Sequence, residues 1–131
     1  MAKKERIISS EVNEPEPEHW SNCLRVGDHV IVSGMVAHDA DGNLVGGNDP
    51  LEQSRQCFRN MTALVEAAGS SMSDVVKINV YLTDIRHRPA FVEARKEFFT
   101  GDFPTAFVVG PVTLAVADLL VEIDAWAHIQ S

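Results

Sequence analysis

The sequence predicts a single α+β domain in which two helices pack on one face of a mixed β-sheet. The chain has 131 residues, which is enough for one sizeable core. Segments that alternate apolar and polar residues are separated by two segments with helical spacing. Two helices on one face leave the other face of the sheet uncovered, and we expect neighbouring subunits to cover it.

The first two strands are predicted on either side of Gly27-Asp28, a two-residue hairpin signal between segments rich in β-branched residues. Before them, residues 1–20 are predicted to be an extended N-terminal segment. Within it, Glu11 to Glu18 contains four Glu and two Pro, which favour an exposed loop. After the hairpin, Asp39 to Asp49 is rich in Gly, Asn and Asp. This composition predicts a loop with a short hairpin at Asp41-Gly42.

The first helix has clear signals at both ends. Asp49 is the predicted N-cap, Pro50 suits the first helical position, and Glu52 has the spacing to reach back to the cap. Gly69 predicts the C-terminal end. The predicted core face comprises Leu51, Phe58, Met61, Leu64, Val65 and Ala68. The predicted exposed face carries Gln53, Arg59, Asn60 and Glu66.

The second half of the chain predicts strand, helix, strand, strand. Asp74 to Thr83 alternates, which is typical of a half-buried strand, and Pro89 to Phe99 has helical spacing. Phe103 to Gly110 and Leu119 to Ile129 are the last two predicted strands. In the strand Asp74 to Thr83 the predicted core face consists of Val76, Ile78, Val80 and Leu82.

The last strand contains the main candidate for catalysis. Its apolar residues alternate with Glu122, Asp124, Trp126 and His128, which share the other face. A carboxylate in an otherwise apolar strand loses hydration, which raises its pKa toward that of a useful general acid or base. Two interpretations of Glu122 remain open, a catalytic carboxylate and a carboxylate that points to solvent or pairs with a neighbour. Asp124 is either its partner or an exposed charge at the rim.

Composition and motifs exclude several classes of function. The net charge of −8 disfavours nucleic acid as a partner, and the apolar runs are too short to span a membrane. The N-terminus shows no secretory signal, so we expect a cytoplasmic protein.

Cys23 and Cys57 have no metal-ligand spacing and are interpreted as buried thiols. With no HxH, HxxxH or HExxH motif, we expect no metal, and we expect no other cofactor. Ser33-Gly34 lacks the context of a hydrolase nucleophile.

Several short motifs occur in an order that is typical of one family. They are Val26-Gly27-Asp28 with Val32-Ser33-Gly34, Gln53 with Asn60, Ala67-Ala68-Gly69, Asp74-Val75-Val76-Lys77 with Tyr81-Leu82 and Asp84, Phe98-Phe99 with Phe103-Pro104, and Val121-Glu122-Ile123-Asp124-Ala125. From about Val26 to Ala127, the chain resembles the Rid (YjgF) family of reactive-intermediate deaminases. The resemblance implies a chorismate-mutase-like fold, assembled as a homotrimer with clefts between subunits.

The resemblance also implies roles for individual residues. In active members, an Arg two residues after the Pro of an FPxR segment grips the substrate carboxylate, and the Glu of a VEI segment orients the hydrolytic water. Glu122 stands at the second position, but Ala106 stands at the first. Arg25 or Arg95 is a candidate for a displaced cation. The expected substrate-binding residues are Trp20, Ser33, Gly34, Thr105, Ala106, Phe107 and Val108, with backbone donors near Gly34 and Val108.

Two hypotheses of function follow from this resemblance. The first is a hydrolase or deaminase that acts on a reactive imine, enamine or related small molecule, other than a small 2-imino acid because the Arg clamp is missing. The alternative is a non-catalytic ligand-binding or regulatory trimer. Ribonuclease activity is disfavoured by the acidic charge. The sequence leaves the roles of Cys23 and His38 open.

Overall fold

A six-stranded mixed sheet forms the centre of the computed structural model, which describes residues 2–130. Residues 1 and 131 of the predicted domain lie outside the described residues. The strands are β1 Lys4–Ile7, β2 Cys23–Val26, β3 His29–Met35, β4 Val75–Leu82, β5 Thr105–Val109 and β6 Val121–His128, and the helices are α1 Pro50–Ala67 and α2 Arg88–Phe98. The strand order is β1-β2-β3-β6-β4-β5, with only β4 and β5 paired in parallel. The predicted α+β class, with two helices on one face of a mixed sheet, is confirmed.

The predicted turn and helix ends are present. Gly27 adopts a φ of 59° between β2 and β3, a conformation that favours glycine. The Asp49 carboxylate accepts a hydrogen bond of 2.9 Å from the Leu51 N–H, which caps α1. At the other end Gly69 has a φ of 85° and donates its N–H to the Glu66 carbonyl at 3.0 Å.

The structure corrects three details and adds one strand. Glu52 does not reach back to the cap, because its carboxylate pairs with Arg55 at 3.0 Å and Arg59 at 3.7 Å. Val76 is 46% exposed, since the pairing of β4 with β6 shifts register between Val75 and Lys77. Third, Gln53 and Asn60 were predicted to be exposed but are buried. The added strand, β1, lies in the N-terminal segment that was predicted to be extended without a strand, and it pairs with β2.

The core lies between the helices and one face of the sheet. Phe58 of α1 stacks on Phe91 of α2, with 6.0 Å between ring centroids, and both side chains are fully buried. The apolar face of β6 is buried as predicted, at Val121, Ile123, Ala125 and Ala127. Both cysteines are buried free thiols, and burial raises the pKa of Cys23 to about 11. Within residues 2–130, no helix is long and apolar enough to cross a membrane.

Candidate active site

Glu122 lies directly against the backbone of Gly34. The pairing of β3 with β6 skips one residue between Val32 and Met35, so Gly34 sits in a bulge beside the carboxylate. A Cβ atom on Gly34 would lie 2.8 Å from Cδ and 2.9 Å from Cγ of Glu122, and it would overlap Oε2. Real carbon atoms do not approach this closely without displacement. Gly34 therefore leaves the space that the Glu122 side chain occupies.

The surroundings of Glu122 favour its protonated form. Its side chain is partly buried, and this burial, followed by the negative charge of Asp124, raises the pKa of Glu122. Asp124 is held in place by Asn79, whose Nδ2 donates to Oδ1 at 2.9 Å. Tyr81 of β4 is the cross-strand neighbour of Glu122. A carboxyl group with a raised pKa is a stronger base than an ordinary carboxylate, which suits a group that accepts and returns a proton.

Glu122 forms part of the wall of a cavity of about 530 Å³. Its other lining residues are Asn13, Trp20, Ser33, Gly34, Val36, His38, Ala115, Val116 and Leu119. None of the lining residues among residues 2–130 is Lys or Arg. The volume is typical of a small-molecule site. The structure thus groups the candidates Trp20, Ser33, Gly34 and Glu122 around one cavity.

Two buried amides of α1 fix the segments around this cavity. Gln53 donates from Nε2 to the carbonyls of Gly47 at 2.7 Å and Asp118 at 2.9 Å. Its Oε1 accepts a hydrogen bond of 2.8 Å from the Leu120 N–H. Asn60 donates to the carbonyls of Val36 and His38, each at 3.0 Å. These side chains hold the backbone that precedes β6 and follows β3.

Gln53 and Asn60 were predicted on the exposed face of α1, and this prediction is wrong because both side chains are buried. Gln53, Cys57, Asn60 and Leu64 recur at i, i+4, i+7 and i+11, which is the spacing of the core stripe itself. The spacing therefore already indicated that Gln53 and Asn60 belong to the buried face of α1. Their polarity was taken as evidence of exposure, although an amide can be buried once all its partners are present.

The predicted residues of β5 do not meet Glu122 within one chain. β4 lies between β5 and β6. Phe107 is paired with Asn79, and Thr105 with Lys77, on the sheet face that also carries Glu122. Ala106 and Val108 are paired with Ile78 and Val80, whose side chains belong to the core face. Ala106 thus lies two strands from Glu122 and on the opposite side of the sheet.

Neither candidate for a displaced cation lines the cavity. Arg25 donates from Nη1 to the Ala68 carbonyl at 2.7 Å and so caps the end of α1. The Arg95 guanidinium lies over the rings of Phe91 and Phe103, at 5.2 Å and 5.9 Å from their centroids.

The two residues whose roles the sequence left open lie in different places. His38 lines the cavity, and its carbonyl is one of the acceptors of Asn60. The side chain of Cys23 belongs to the core. In the part of the chain that is described, no group of three or more His, Cys, Asp or Glu residues is arranged to hold a metal ion.

Comparison with known proteins identifies the family. The family model described as Endoribonuclease L-PSP matches residues 12–129. A 2-iminobutanoate/2-iminopropanoate deaminase of Dermatophagoides farinae is 35% identical over 109 residues, which cover 83% of this chain and 85% of that protein. The structure of RidA from the Antarctic bacterium Psychrobacter sp. PAMC 21119 is similar at a TM-score of 0.86 and 29% identity, covering 95% of this chain and 99% of that one. The structure of a Pseudomonas aeruginosa protein of unknown function is similar at a TM-score of 0.85 and 36% identity, covering 98% of this chain and 94% of that one. The chain therefore belongs to the Endoribonuclease L-PSP family, which is the Rid (YjgF) family that its motifs resemble.

Proposed function

We propose that this protein is a hydrolytic deaminase of a reactive imine or enamine, with Glu122 as the catalytic carboxylate. The observation that carries the proposal is the placement of a partly buried carboxylate against Gly34 in the wall of a cavity. The similarity to a mite protein named as an imine deaminase supports the same class of reaction.

The proposed reaction consumes one water and releases ammonia. Glu122 accepts a proton from a water molecule as the water oxygen attacks the carbon of the C=N bond, and the same carboxyl group returns this proton to the nitrogen. In the resulting carbinolamine the hydroxyl proton passes through Glu122 to the nitrogen as the C–N bond breaks, so that a C=O group and ammonia are formed. An enamine enters the same sequence after protonation at carbon. The raised pKa of Glu122 suits a group that takes up and gives back a proton.

The cavity favours substrates other than small 2-imino acids. A substrate carboxylate needs a cationic partner, and a bidentate Arg is the usual one. No described residue that lines the cavity is Lys or Arg, and Glu122 would repel a second carboxylate. A cytoplasmic location, with no cofactor and no nucleic-acid partner, remains part of this proposal.

We also propose that the functional unit is a homotrimer with the sites between subunits. The face of the sheet opposite the helices exposes Ile31, Trp126 and Phe107, and the last of these is 57% exposed. An apolar face of this kind is typical of an interface. If β5 of a second copy lies beside the cavity, Thr105, Ala106, Phe107 and Val108 can contribute to it. Light scattering tests this with an expected mass of three chains of 14.4 kDa.

The activity is tested with imines made in situ by a flavin amine oxidase or amino-acid oxidase. Semicarbazide traps the imine that remains, and the carbonyl product and ammonia are measured. Glu122→Gln keeps the shape of the side chain and removes the proton acceptor, so the rate of hydrolysis is expected to fall by about 10²–10⁴-fold. The matched control is Glu66→Gln on the exposed surface of α1, which is expected to hydrolyse as fast as the wild type. Equal turnover by the Glu122→Gln variant and the wild type refutes the proposal.

The second candidate is a ligand-binding trimer without catalytic activity. The observation that favours it is the lack of a cation among the described residues that line the cavity. The imine hydrolysis assay, combined with a binding measurement, distinguishes the two functions. A protein that binds a neutral amide such as phenylacetamide, but accelerates no imine hydrolysis, belongs to the second class.

A further inference from the structure

Two large apolar side chains flank the cavity that contains Glu122. Trp20, in the segment before β2, is 57% exposed, and Val116, between β5 and β6, is 49% exposed. Single exposed apolar residues are common on protein surfaces. Here, however, two of them come from distant parts of the chain and border the same cavity. A paired apolar arrangement at a concave site indicates contact with an apolar part of a ligand.

Trp20 is anchored by a hydrogen bond, and the segment that follows Val116 is anchored by Gln53. The indole Nε1 of Trp20 donates to Oδ1 of Asn22 at 3.3 Å, and the buried Asn22 in turn donates to the Asn13 carbonyl at 2.8 Å. On the other side, Gln53 binds the backbone at both Asp118 and Leu120, close to Val116 in the chain. A side chain fixed as that of Trp20 is can discriminate between ligands by shape.

The rest of the cavity is polar but contains no fixed positive charge among the described residues. Asn13, Ser33 and His38 line it together with the carboxyl group of Glu122. When Glu122 is ionised, it repels an anionic ligand, and no Lys or Arg among the described residues that line the cavity offsets this repulsion. The site therefore disfavours a ligand whose polar end carries a negative charge.

We propose that the substrate is a neutral, carboxylate-free imine or enamine with an aromatic or branched apolar substituent. Its C=N group lies toward Glu122, and its substituent lies between Trp20 and Val116, which determine specificity. The volume of about 530 Å³ has room for a substituent of the size of a phenyl ring. This inference rests on the proposed function, since it names the class of substrate for the same site.

The test measures binding, which does not require turnover. Phenylacetamide has a neutral C=O group and an aromatic substituent, acetamide lacks the ring, and phenylacetate adds the negative charge. Isothermal titration calorimetry is expected to show phenylacetamide binding at least 10-fold more tightly than either of the other two. Equal or tighter binding of phenylacetate, or no measurable binding of phenylacetamide, overturns the inference.

Variants locate the binding to the two walls. Trp20→Ala and Val116→Ser are each expected to weaken phenylacetamide binding by about 3–10-fold, because each removes part of the apolar contact. The control is Ile85→Ala, which alters an apolar residue that is also exposed but does not line the cavity, and no change is expected. Circular dichroism checks that each variant is folded. If both wall variants bind phenylacetamide like the wild type, the inference is wrong.

Kinetics separate this inference from the proposed function. The imines of phenethylamine and propylamine are generated by the same amine oxidase, and kcat/KM is compared. A preference for the phenethylamine imine that is lost in Trp20→Ala supports the inference. Hydrolysis of both imines at equal rates leaves the proposed function intact and refutes the specificity. Absence of hydrolysis, together with the expected order of amide binding, refutes the proposed function and supports the assignment of the ligand class.

Discussion

Gly34→Ala gives the most direct test of the geometry around Glu122. Gly34 has no positive φ, so alanine can adopt its backbone conformation. The added methyl group would lie 2.8 Å from Cδ and 2.9 Å from Cγ of Glu122. The two side chains cannot occupy these positions together. We expect Glu122 to leave its present position, and hydrolysis to be lost with it.

The expected cost in stability follows from the overlap. Inserting a methyl group into a filled site typically costs about 1–3 kcal/mol. Replacing glycine also restricts the unfolded chain, which stabilises the protein by about 0.4–1 kcal/mol. In a Glu122→Ala background the overlapping atoms Cγ, Cδ and Oε2 are absent, while the effect on the unfolded chain remains. Because Glu122 is a flexible, partly buried side chain that can move away, the overlap is expected to appear as a coupling energy of about 1 kcal/mol between the two substitutions.

The assay is urea unfolding of the wild type, Gly34→Ala, Glu122→Ala and the double variant. The protein concentration is the same in every experiment, because an oligomer unfolds in a concentration-dependent way. If Gly34→Ala destabilises the protein equally in both backgrounds, the contact with Glu122 is not the reason for glycine at this position.

Two further predictions concern α1 and the ionisation of Glu122. Gln53→Leu removes the hydrogen bonds to Gly47, Asp118 and Leu120, so we expect a loss of about 3 kcal/mol in urea unfolding and faster hydrogen exchange just before β6. Unchanged exchange there would show that Gln53 does not hold this segment. Burial and Asp124 raise the folded-state pKa of Glu122 above its unfolded value, so ionisation destabilises the folded protein as the pH rises through that range. Glu122→Gln is therefore expected to gain stability over the wild type at pH 8, and the gain should vanish below about pH 4, where the carboxyl is protonated in both states. If the difference in stability between Glu122→Gln and the wild type is the same at all these pH values, the pKa of Glu122 is not raised in the folded protein.

Local signals in the sequence were sufficient for most of the fold. The turn at Gly27 and the ends of α1 depend on residues close together in the chain, so their chemistry can be read directly. β1 was not assigned, because its sequence KERI has little strand character of its own and its pairing with β2 depends on residues about twenty positions away. The prediction of Val76 on the core face was wrong for a similar reason, since the register shift that exposes it arises from pairing with β6.

The site was only partly readable from the sequence. Glu122 was identified because a carboxylate interrupts the apolar neighbours of a strand, which is a local pattern. The close contact of Glu122 with Gly34 was not predictable, because it depends on the bulge in β3. The roles of Gln53 and Asn60 depend on carbonyl groups of distant loops, and only the folded chain brings these acceptors to the amides.

The topology of the sheet separates position 106 from Glu122 within a single chain. Position 106 lies on β5, two strands from β6, and its side chain is on the face of the sheet opposite Glu122. An arginine at this position would therefore not meet the Glu122 of its own chain. A clamp at position 106 can act beside Glu122 only when β5 belongs to a neighbouring copy. If the proposed trimer forms, Ala106 of one copy and the walls at Trp20 and Val116 of another border the same ligand. Alanine at position 106, together with the apolar walls, would then favour a site for neutral and apolar molecules.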